Sequence, residues 1–141
     1  ILYEDIAFTY KVVDRARRLV IHGLPKYHYT VRPGSIVSAR YAINRNISYF
    51  NSEFILMNFM VEHGYKDGAM HLVRRGIHTI KRLIMSGATD DMLNDILERI
   101  RPFHYVGVKE IGIINVWRRW MLENHLQTYK SIYKFSKKIF K

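Results

Sequence analysis

The sequence predicts a mainly α-helical single domain that carries one β-hairpin arm. Apolar residues recur at intervals of three and four over several segments, and glycine or proline follows most of these segments, which is typical of amphipathic helices. One stretch, FHYVGVKEIGIINVW at residues 103–117, is instead rich in β-branched and aromatic residues and predicts the hairpin. With 141 residues, 48% of them hydrophobic, the chain is long enough for one core and too short for two.

The N-terminal part predicts one helix followed by an irregular segment. Apolar residues at helical spacing place the helix within residues 1–23, with the basic run RARR at 15–18 on it. Gly23 and Pro25 are expected to end this helix. The stretch KYHYTVRPG at 26–34 is expected to be extended or irregular, because its proline stops any long strand.

Two helices are predicted in the middle of the chain. The first has Asn51 or Ser52 as its N-cap and ends at Gly64. The second begins at Asp67 and ends at residues 86–87, with apolar residues at helical spacing at Met70, Val73, Ile77, Ile80 and Ile84. Gly76 lies inside this second helix, at a cost of about 1 kcal/mol relative to alanine, and a close helix crossing is the simplest explanation for it.

Two further helices complete the prediction. Thr89 is expected to cap the segment DDMLNDILERI, whose aspartates suit the positive end of the helix dipole, and Arg101-Pro102 is expected to end it. After the hairpin, one long basic helix is predicted from about Arg118, with apolar residues at Leu122, Leu126, Tyr129 and Tyr133.

The charge of the chain points to an anionic partner. Lys and Arg outnumber Asp and Glu by 23 to 12, which gives a formal net charge of +11. The excess lies at the ends, because residues 1–50 carry eight basic and three acidic residues and residues 118–141 carry seven and one. Such a charge on a small domain favours nucleic acid as the partner over an acidic membrane surface.

The helix predicted from Asp67 has a cationic side opposite its apolar one. His71, Arg75, His78 and Arg82 fall on this side, with Arg74 and Lys81 at its border. A solvated charged face is the ordinary explanation of such a row. However, residues 68–89 contain no acidic residue that could neutralise the row within the helix, so backbone phosphates are a suitable complement.

Aromatic residues are interleaved with these cations, and two roles stay open for them. Exposed aromatic rings stack on unpaired bases in many RNA-binding proteins, whereas buried ones fill the core. The candidates are Tyr27, His28, Tyr29, Phe103, His104, Tyr105, Trp117 and Trp120.

Motifs of catalysis and metal binding are missing from the sequence. It contains no cysteine and no HExxH, GxxxxGK[ST] or GxSxG pattern, and its seven histidines are scattered. We therefore expect no enzymatic activity, no cofactor, no metal site and no small-molecule substrate. The longest apolar run, FILMNFMV at 54–61, is too short for a transmembrane helix, so no membrane partner is expected.

Two stretches of the sequence resemble a known family. SYFNSEFILMNFMVEHGYKDGAMHLVRRGIHTIKRL begins at Ser48, and NDILERIRPFHYVGVKEIG begins at Asn94. In order and spacing they are similar to the small-subunit ribosomal protein S-seven family of bacteria and organelles, over about residues 46–112. The chain departs from the family pattern at Asp67, where the family has a second lysine, and at Glu110, near one of its hairpin arginines.

This resemblance implies about six helices with a β-ribbon arm. It implies an N-terminal extension at 1–45, an S-seven-like domain at 46–141 and an arm at about 103–117. The implied function is structural: direct binding to the 3′ major domain of small-subunit ribosomal RNA, which organises the head of the subunit. Neighbouring ribosomal proteins would be partners, with the messenger RNA and exit-site tRNA nearby. The divergence and composition favour a mitochondrial ribosome, with the bacterial cytoplasm or a plastid as alternatives.

Nine basic residues are the candidates for RNA contact. Lys66, Arg101 and Lys109 match basic positions of the family, and the rest are chosen by charge and position: Arg74, Arg75, Lys81, Arg82, Arg118 and Arg119. The alternative is a helical DNA-binding or regulatory module that presents one recognition helix. That alternative is weaker, because the helix from Asp67 begins DGAMHL, which offers few side chains for reading bases.

Overall fold

The structure is a computed structural model that describes residues 3–20, 23–24, 42–65 and 67–139. Within these residues the protein is built from helices joined by short turns. They are α1 (Glu4–Arg15), α2 (Ile43–Glu62), α3 (Gly68–Met85), α4 (Asp90–Ile100), a 3-10 turn (Arg101–Phe103), α5 (Val108–Ile111), α6 (Ile113–Asn124) and α7 (Leu126–Ile139). None of these helices has the length and apolar character needed to cross a bilayer. The prediction of a mainly helical protein is therefore confirmed.

Helix α3 is the centre of the fold. Its apolar residues follow helical spacing and are fully buried, as Leu72, Ile80 and Leu83 show with 0% exposure. The helix packs against α2, α4, α5, α6 and α7. Burying side chains of this size stabilises the fold by about 1.5–3 kcal/mol each. The predicted start at Asp67 and end at Ser86 are confirmed, since these residues occupy its N-cap and C-cap.

Gly76 marks the crossing of α3 and α4. A Cβ atom built at this position would lie 2.7 Å from Cγ2 of Ile100, a fully buried residue at the end of α4. No real side chain tolerates such a contact, so a residue larger than glycine would push the two helices apart. The explanation of Gly76 as a close helix crossing is confirmed.

Helix α7 is attached to the start of α4 by polar contacts. Asp90 accepts hydrogen bonds from Lys130 Nζ and from Gln127 Nε2, each at 2.5 Å. These two hydrogen bonds lower the pKa of Asp90 below its usual range. Thr89 occupies the predicted N-cap position of α4, although its hydroxyl makes no capping hydrogen bond. Asp90 therefore joins α4 to α7 through a contact that sequence spacing alone does not reveal.

The predicted hairpin at residues 103–117 is wrong. No strand occurs among the described residues, and this stretch forms the end of the 3-10 turn, α5 and the first part of α6. The φ angle of 80° at Gly112 allows a sharp break between α5 and α6 that a β-branched residue would not adopt. Burial of Val106 and Ile111 against the core outweighs the strand preference of the local sequence.

Three predicted boundaries also differ from the structure. Helix α2 begins at Ile43, so Asn51 and Ser52 lie inside it rather than at its N-cap, although it ends before Gly64 as predicted. Helix α1 ends at Arg15, so most of the RARR run lies outside it. The long C-terminal helix predicted from Arg118 is two helices that are interrupted at His125.

The predicted domain boundary between residues 45 and 46 lies within α2, because this helix begins at Ile43. Helix α1 packs against α2, with the rings of Tyr10 and Phe59 centred 4.6 Å apart. The predicted irregular segment at 26–34 lies outside the described residues.

Candidate nucleic-acid interface

A cationic cleft of about 380 Å³ opens between α3 and α6. Its walls hold four basic side chains, Arg74, Arg75, Lys81 and Arg118, all of which the sequence had suggested. The other residues that line it are Met57, His71, Ile77, His78 and Asn115. None of these described lining residues is acidic. The arrangement suits a ligand with several anionic oxygens.

Helix α3 provides most of the residues that line the cleft, because one of its sides is apolar and another is cationic. The apolar side is held by the core, which leaves the side with His71, Arg74, His78 and Lys81 facing α6. These positions are three or four residues apart, so their side chains share one face of the helix. Of the row predicted from sequence, His71, Arg75 and His78 line the cleft together with the border residues Arg74 and Lys81, whereas Arg82 does not.

The second wall comes from α6, which α5 holds close to α3. Arg74 Nη2 donates a hydrogen bond to the backbone carbonyl oxygen of Glu110 in α5. One turn into α6, Arg118 Nη1 donates to Oδ1 of Asn115 at 3.1 Å. This bond holds the Arg118 guanidinium in one orientation at the cleft. Because Gly112 breaks the chain direction between α5 and α6, Asn115 and Arg118 reach the same cleft as α3.

Arg75 is anchored from behind by a buried carboxylate. Its Nε forms an ion pair with Oε2 of Glu53, a residue of α2 that is 6% exposed. Among the described residues, this oxygen accepts no hydrogen bond of good geometry, so the contact is mainly ionic. Burial raises the pKa of Glu53, while Arg75 and a hydrogen bond from Tyr49 act in the opposite direction. The guanidinium also lies 5.3 Å from the centre of the Tyr49 ring.

Lys81 connects the cleft to an aromatic row. Its Nζ lies 5.5 Å from the centre of the Tyr133 ring. Tyr133 in turn stacks on Tyr129, with ring centres 6.0 Å apart and an angle of 5° between the rings. Burial raises the pKa of the Tyr129 hydroxyl, in line with its 3% exposure. A cation held over a ring is stabilised by about 0.5–2 kcal/mol, so Lys81 is held at the rim of the site.

Five of the nine predicted contact residues are not among those that line the cleft. Four of them lie elsewhere in the described structure: Arg82, Arg101, Lys109 and Arg119. Arg82 is half-buried on α3, Arg101 forms an exposed ion pair with Glu98 at 2.8 Å, and Lys109 is exposed on α5. Lys66 lies outside the described residues.

Arg119 was predicted to contact RNA, but in the structure its guanidinium is buried within the protein. It is only 6% exposed, and its Nη1 donates to the carbonyl oxygen of Phe103 at 2.8 Å. Its Nε donates to Glu123 Oε1 at 2.8 Å. The guanidinium therefore joins the 3-10 turn to α6 and is closed to a ligand. Of these two neighbouring arginines, Arg118 is the one that faces the cleft, because adjacent helical residues point about 100° apart.

Sequence reasoning missed three polar residues of the cleft. His71 and His78 had been placed on the cationic side of α3 but not among the contact residues, although their spacing from Arg75 was already visible. Asn115 carried no signal, because it lies in the stretch that was predicted as a strand. Its role depends on the helix that actually forms there.

The described part of the chain contains no group of three or more histidine or acidic side chains arranged to hold a metal ion. Comparison of the chain with protein-family models, with curated proteins and with solved structures gave no match. The functional argument therefore depends on the cleft itself and on the sequence resemblance described above.

Proposed function

We propose that this protein is a structural RNA-binding component of the small ribosomal subunit and that the cationic cleft holds the RNA backbone. The observation that carries the proposal is that Arg118 of α6 meets Arg74, Arg75 and Lys81 of α3 in one concave site. Phosphate oxygens of a folded RNA would approach them from several directions. The net charge of +11 also favours an anionic partner.

The chemistry of binding is electrostatic. Each Arg or Lys that neutralises a phosphate releases a condensed counterion, and this release supplies much of the affinity. Arginine adds paired N–H donors that match two phosphate oxygens at once. Arg118 and Arg75 are each oriented by another side chain, Asn115 and Glu53, so less side-chain freedom is lost on binding.

The shape of the site favours RNA over the major groove of DNA. A recognition helix must protrude so that it can enter the groove, which is about 12 Å wide. Helix α3 instead packs against five other helices and presents its cations within a concavity. A folded RNA offers projecting backbone segments that such a cleft can receive. For this reason the DNA-binding alternative is not proposed.

The ribosomal part of the proposal depends on the sequence resemblance. The matched stretches from Ser48 and Asn94 cover most of α2, α3 and α4 and reach Gly112, so they include the α3 wall of the cleft. The proposed partners are the 3′ major domain of small-subunit ribosomal RNA and adjacent proteins of the head, in a mitochondrial ribosome. Because residues 103–117 form no hairpin, no arm contact with messenger RNA or exit-site tRNA is included.

The experiment is a binding titration with three nucleic acids of matched length. The purified chain is titrated with folded 3′ major domain ribosomal RNA, with a scrambled RNA and with duplex DNA, over a series of salt concentrations. Tight binding to the folded RNA that persists at physiological salt, with the other two lost, is the expected result. Equal binding to all three that salt abolishes together would show non-specific electrostatics and would contradict the ribosomal proposal.

A further inference from the structure

Two tryptophans are exposed on α6, in the same helix that supplies Arg118 to the cleft. Trp117 is 47% exposed and Trp120 is 50% exposed. Tryptophan is rarely left in water without a reason, since its ring offers the largest apolar surface of any side chain. Of the other aromatic candidates, Phe103 is buried in the core and so cannot stack on a ligand.

Trp117 belongs to an aromatic row that ends at the cleft. Its ring centre lies 6.3 Å from that of Tyr129, which stacks on Tyr133, over which Lys81 is placed. Arg118, next to Trp117 in the chain, also acts on Tyr129 through its charge. The row therefore leads from two cations of the cleft to one exposed indole ring.

We propose that Trp117 stacks on an unpaired RNA base whose flanking phosphates lie in the cationic cleft. This inference depends on the proposed function, and it narrows the ligand to RNA with a single-stranded, bulged or looped nucleotide at this site. The buried Tyr129 ring contacts the Trp117 ring at a tilt of 55°, and about half of the Trp117 side chain stays exposed. An indole ring beside cations matches a nucleotide in both of its parts, a flat base and a charged phosphate.

Charge complementarity distinguishes a nucleotide from an apolar protein segment as the occupant. Trp117 precedes Arg118, which lines the cleft, so an occupant that covers the indole ring and extends into the cleft must carry negative charge to neutralise Arg118. A nucleotide leaves no such charge unpaired. The aromatic surface and the cleft therefore act as one site with a base part and a phosphate part.

Trp120 provides a matched control. It has the same side chain on the same helix with nearly equal exposure, but it packs against His125, 4.9 Å away between ring centres, at the end of α6. Among the described contacts, none joins its ring to the aromatic row. If exposure alone produced binding, the two tryptophans would behave alike.

The experiment uses a single-stranded RNA and an abasic strand with the same number of phosphates. Because the chain has two tryptophans, Trp120→Phe leaves Trp117 as the only indole reporter. We expect the RNA, and not the abasic strand, to quench the fluorescence of Trp117 in this variant. Trp117→Ala is expected to weaken binding of the RNA roughly tenfold and to leave the abasic strand unchanged, because stacking acts on the base alone. Trp120→Ala is expected to change either affinity less than about twofold.

Trp117→Phe controls for loss of folding in Trp117→Ala, since phenylalanine keeps an aromatic face. It should retain most of the preference for the strand with bases. Equal binding of the two strands by the unaltered protein, together with no quenching of Trp117 in Trp120→Phe, would overturn the stacking site and leave the proposed function standing. Failure of both strands to bind would likewise overturn the stacking site, whereas the proposed function is decided by the titration with the folded 3′ major domain RNA.

Discussion

Glu53 on α2 and Arg75 on α3 form an ion pair that joins the core to the cationic cleft. The carboxylate is 6% exposed, whereas the Arg75 side chain is 38% exposed and lines the cleft. One end of the pair is thus held in the interior and the other lines the cleft. The pair orients Arg75, and the buried carboxylate makes the stability of the fold depend on pH.

Replacing Glu53 with glutamine should reduce the dependence of stability on pH. Because burial raises the pKa of Glu53, the folded protein still holds this proton at a pH where the unfolded chain has released it. The stability contribution is therefore complete below the ordinary pKa of 4.5 and is lost as the pH rises through the folded value. Denaturant unfolding between about pH 4 and 7 should show a smaller fall with pH in Glu53→Gln.

The control for this measurement is Glu62→Gln, on the exposed end of the same helix. It removes a carboxylate from the same helix but leaves the Glu53–Arg75 ion pair intact, so the two variants separate loss of this pair from loss of a charge on α2. An unchanged profile in Glu53→Gln would contradict the assignment of this titration to the buried carboxylate.

Gly76→Ala should destabilise the fold by about 1–3 kcal/mol, because its Cβ would meet the buried Ile100 at the crossing of α3 and α4. Gly107→Ala is the control, since its Cβ would meet nothing closer than 3.6 Å. Both are measured by denaturant unfolding. A Gly76→Ala protein as stable as the original would show that the two helices cross less closely than the structure indicates.

The neighbouring arginines of α6 should give opposite results. Arg119→Met removes a buried guanidinium that bonds Phe103 and Glu123, so we expect a loss of about 3 kcal/mol in unfolding free energy. Arg118→Met should change stability by less than about 1 kcal/mol and weaken RNA binding about tenfold. Unfolding and RNA titration of both variants test this. Loss of RNA affinity in a fully folded Arg119→Met protein would return Arg119 to the interface.

The cations outside the cleft should matter less for binding. Arg101 already pairs with Glu98 on the surface, and Lys109 is exposed on α5 and does not line the cleft. Arg101→Gln and Lys109→Gln are each expected to weaken RNA binding by less than about threefold. Arg118→Gln should weaken it about tenfold. If Lys109→Gln had the larger effect, the RNA path would have to cross α5 rather than the cleft.

The sequence was sufficient to predict a helix and its ends where the spacing of apolar residues agrees with the residues that flank the helix. Helix α3 was predicted with both ends, since its apolar residues and the residues that flank it give the same answer. The start of α2 was predicted too late in the sequence, because Asn51 and Ser52 are residue types that suit an N-cap. They also fit a helix interior, where Ser52 Oγ donates a hydrogen bond to the carbonyl oxygen of Ser48. Good capping residues therefore mark a helix start only when no helical pattern precedes them.

The strand predicted at residues 103–117 failed for a different reason. Local composition there favours strands, but a strand would alternate its side chains between two faces and bury only one of them on this core. As helices, the segment buries Ile111 in α5 and half-buries Val116 in α6 against the core. The cleft could not be predicted in full for the same reason, because Asn115 and Arg118 reach α3 only through α6. The α3 wall was visible in sequence, whereas the α6 wall depends on tertiary packing.

The most direct test of the account is the salt dependence of RNA binding in two triple variants. One combines Arg74→Gln, Lys81→Gln and Arg118→Gln in the cleft. The other combines Arg15→Gln, Arg17→Gln and Arg18→Gln, which are exposed and lie outside it. The slope of log affinity against log salt should become shallower by about two to three in the cleft variant and by less than about one in the control. Equal changes in the two variants would contradict the claim that the cleft is the RNA-binding site.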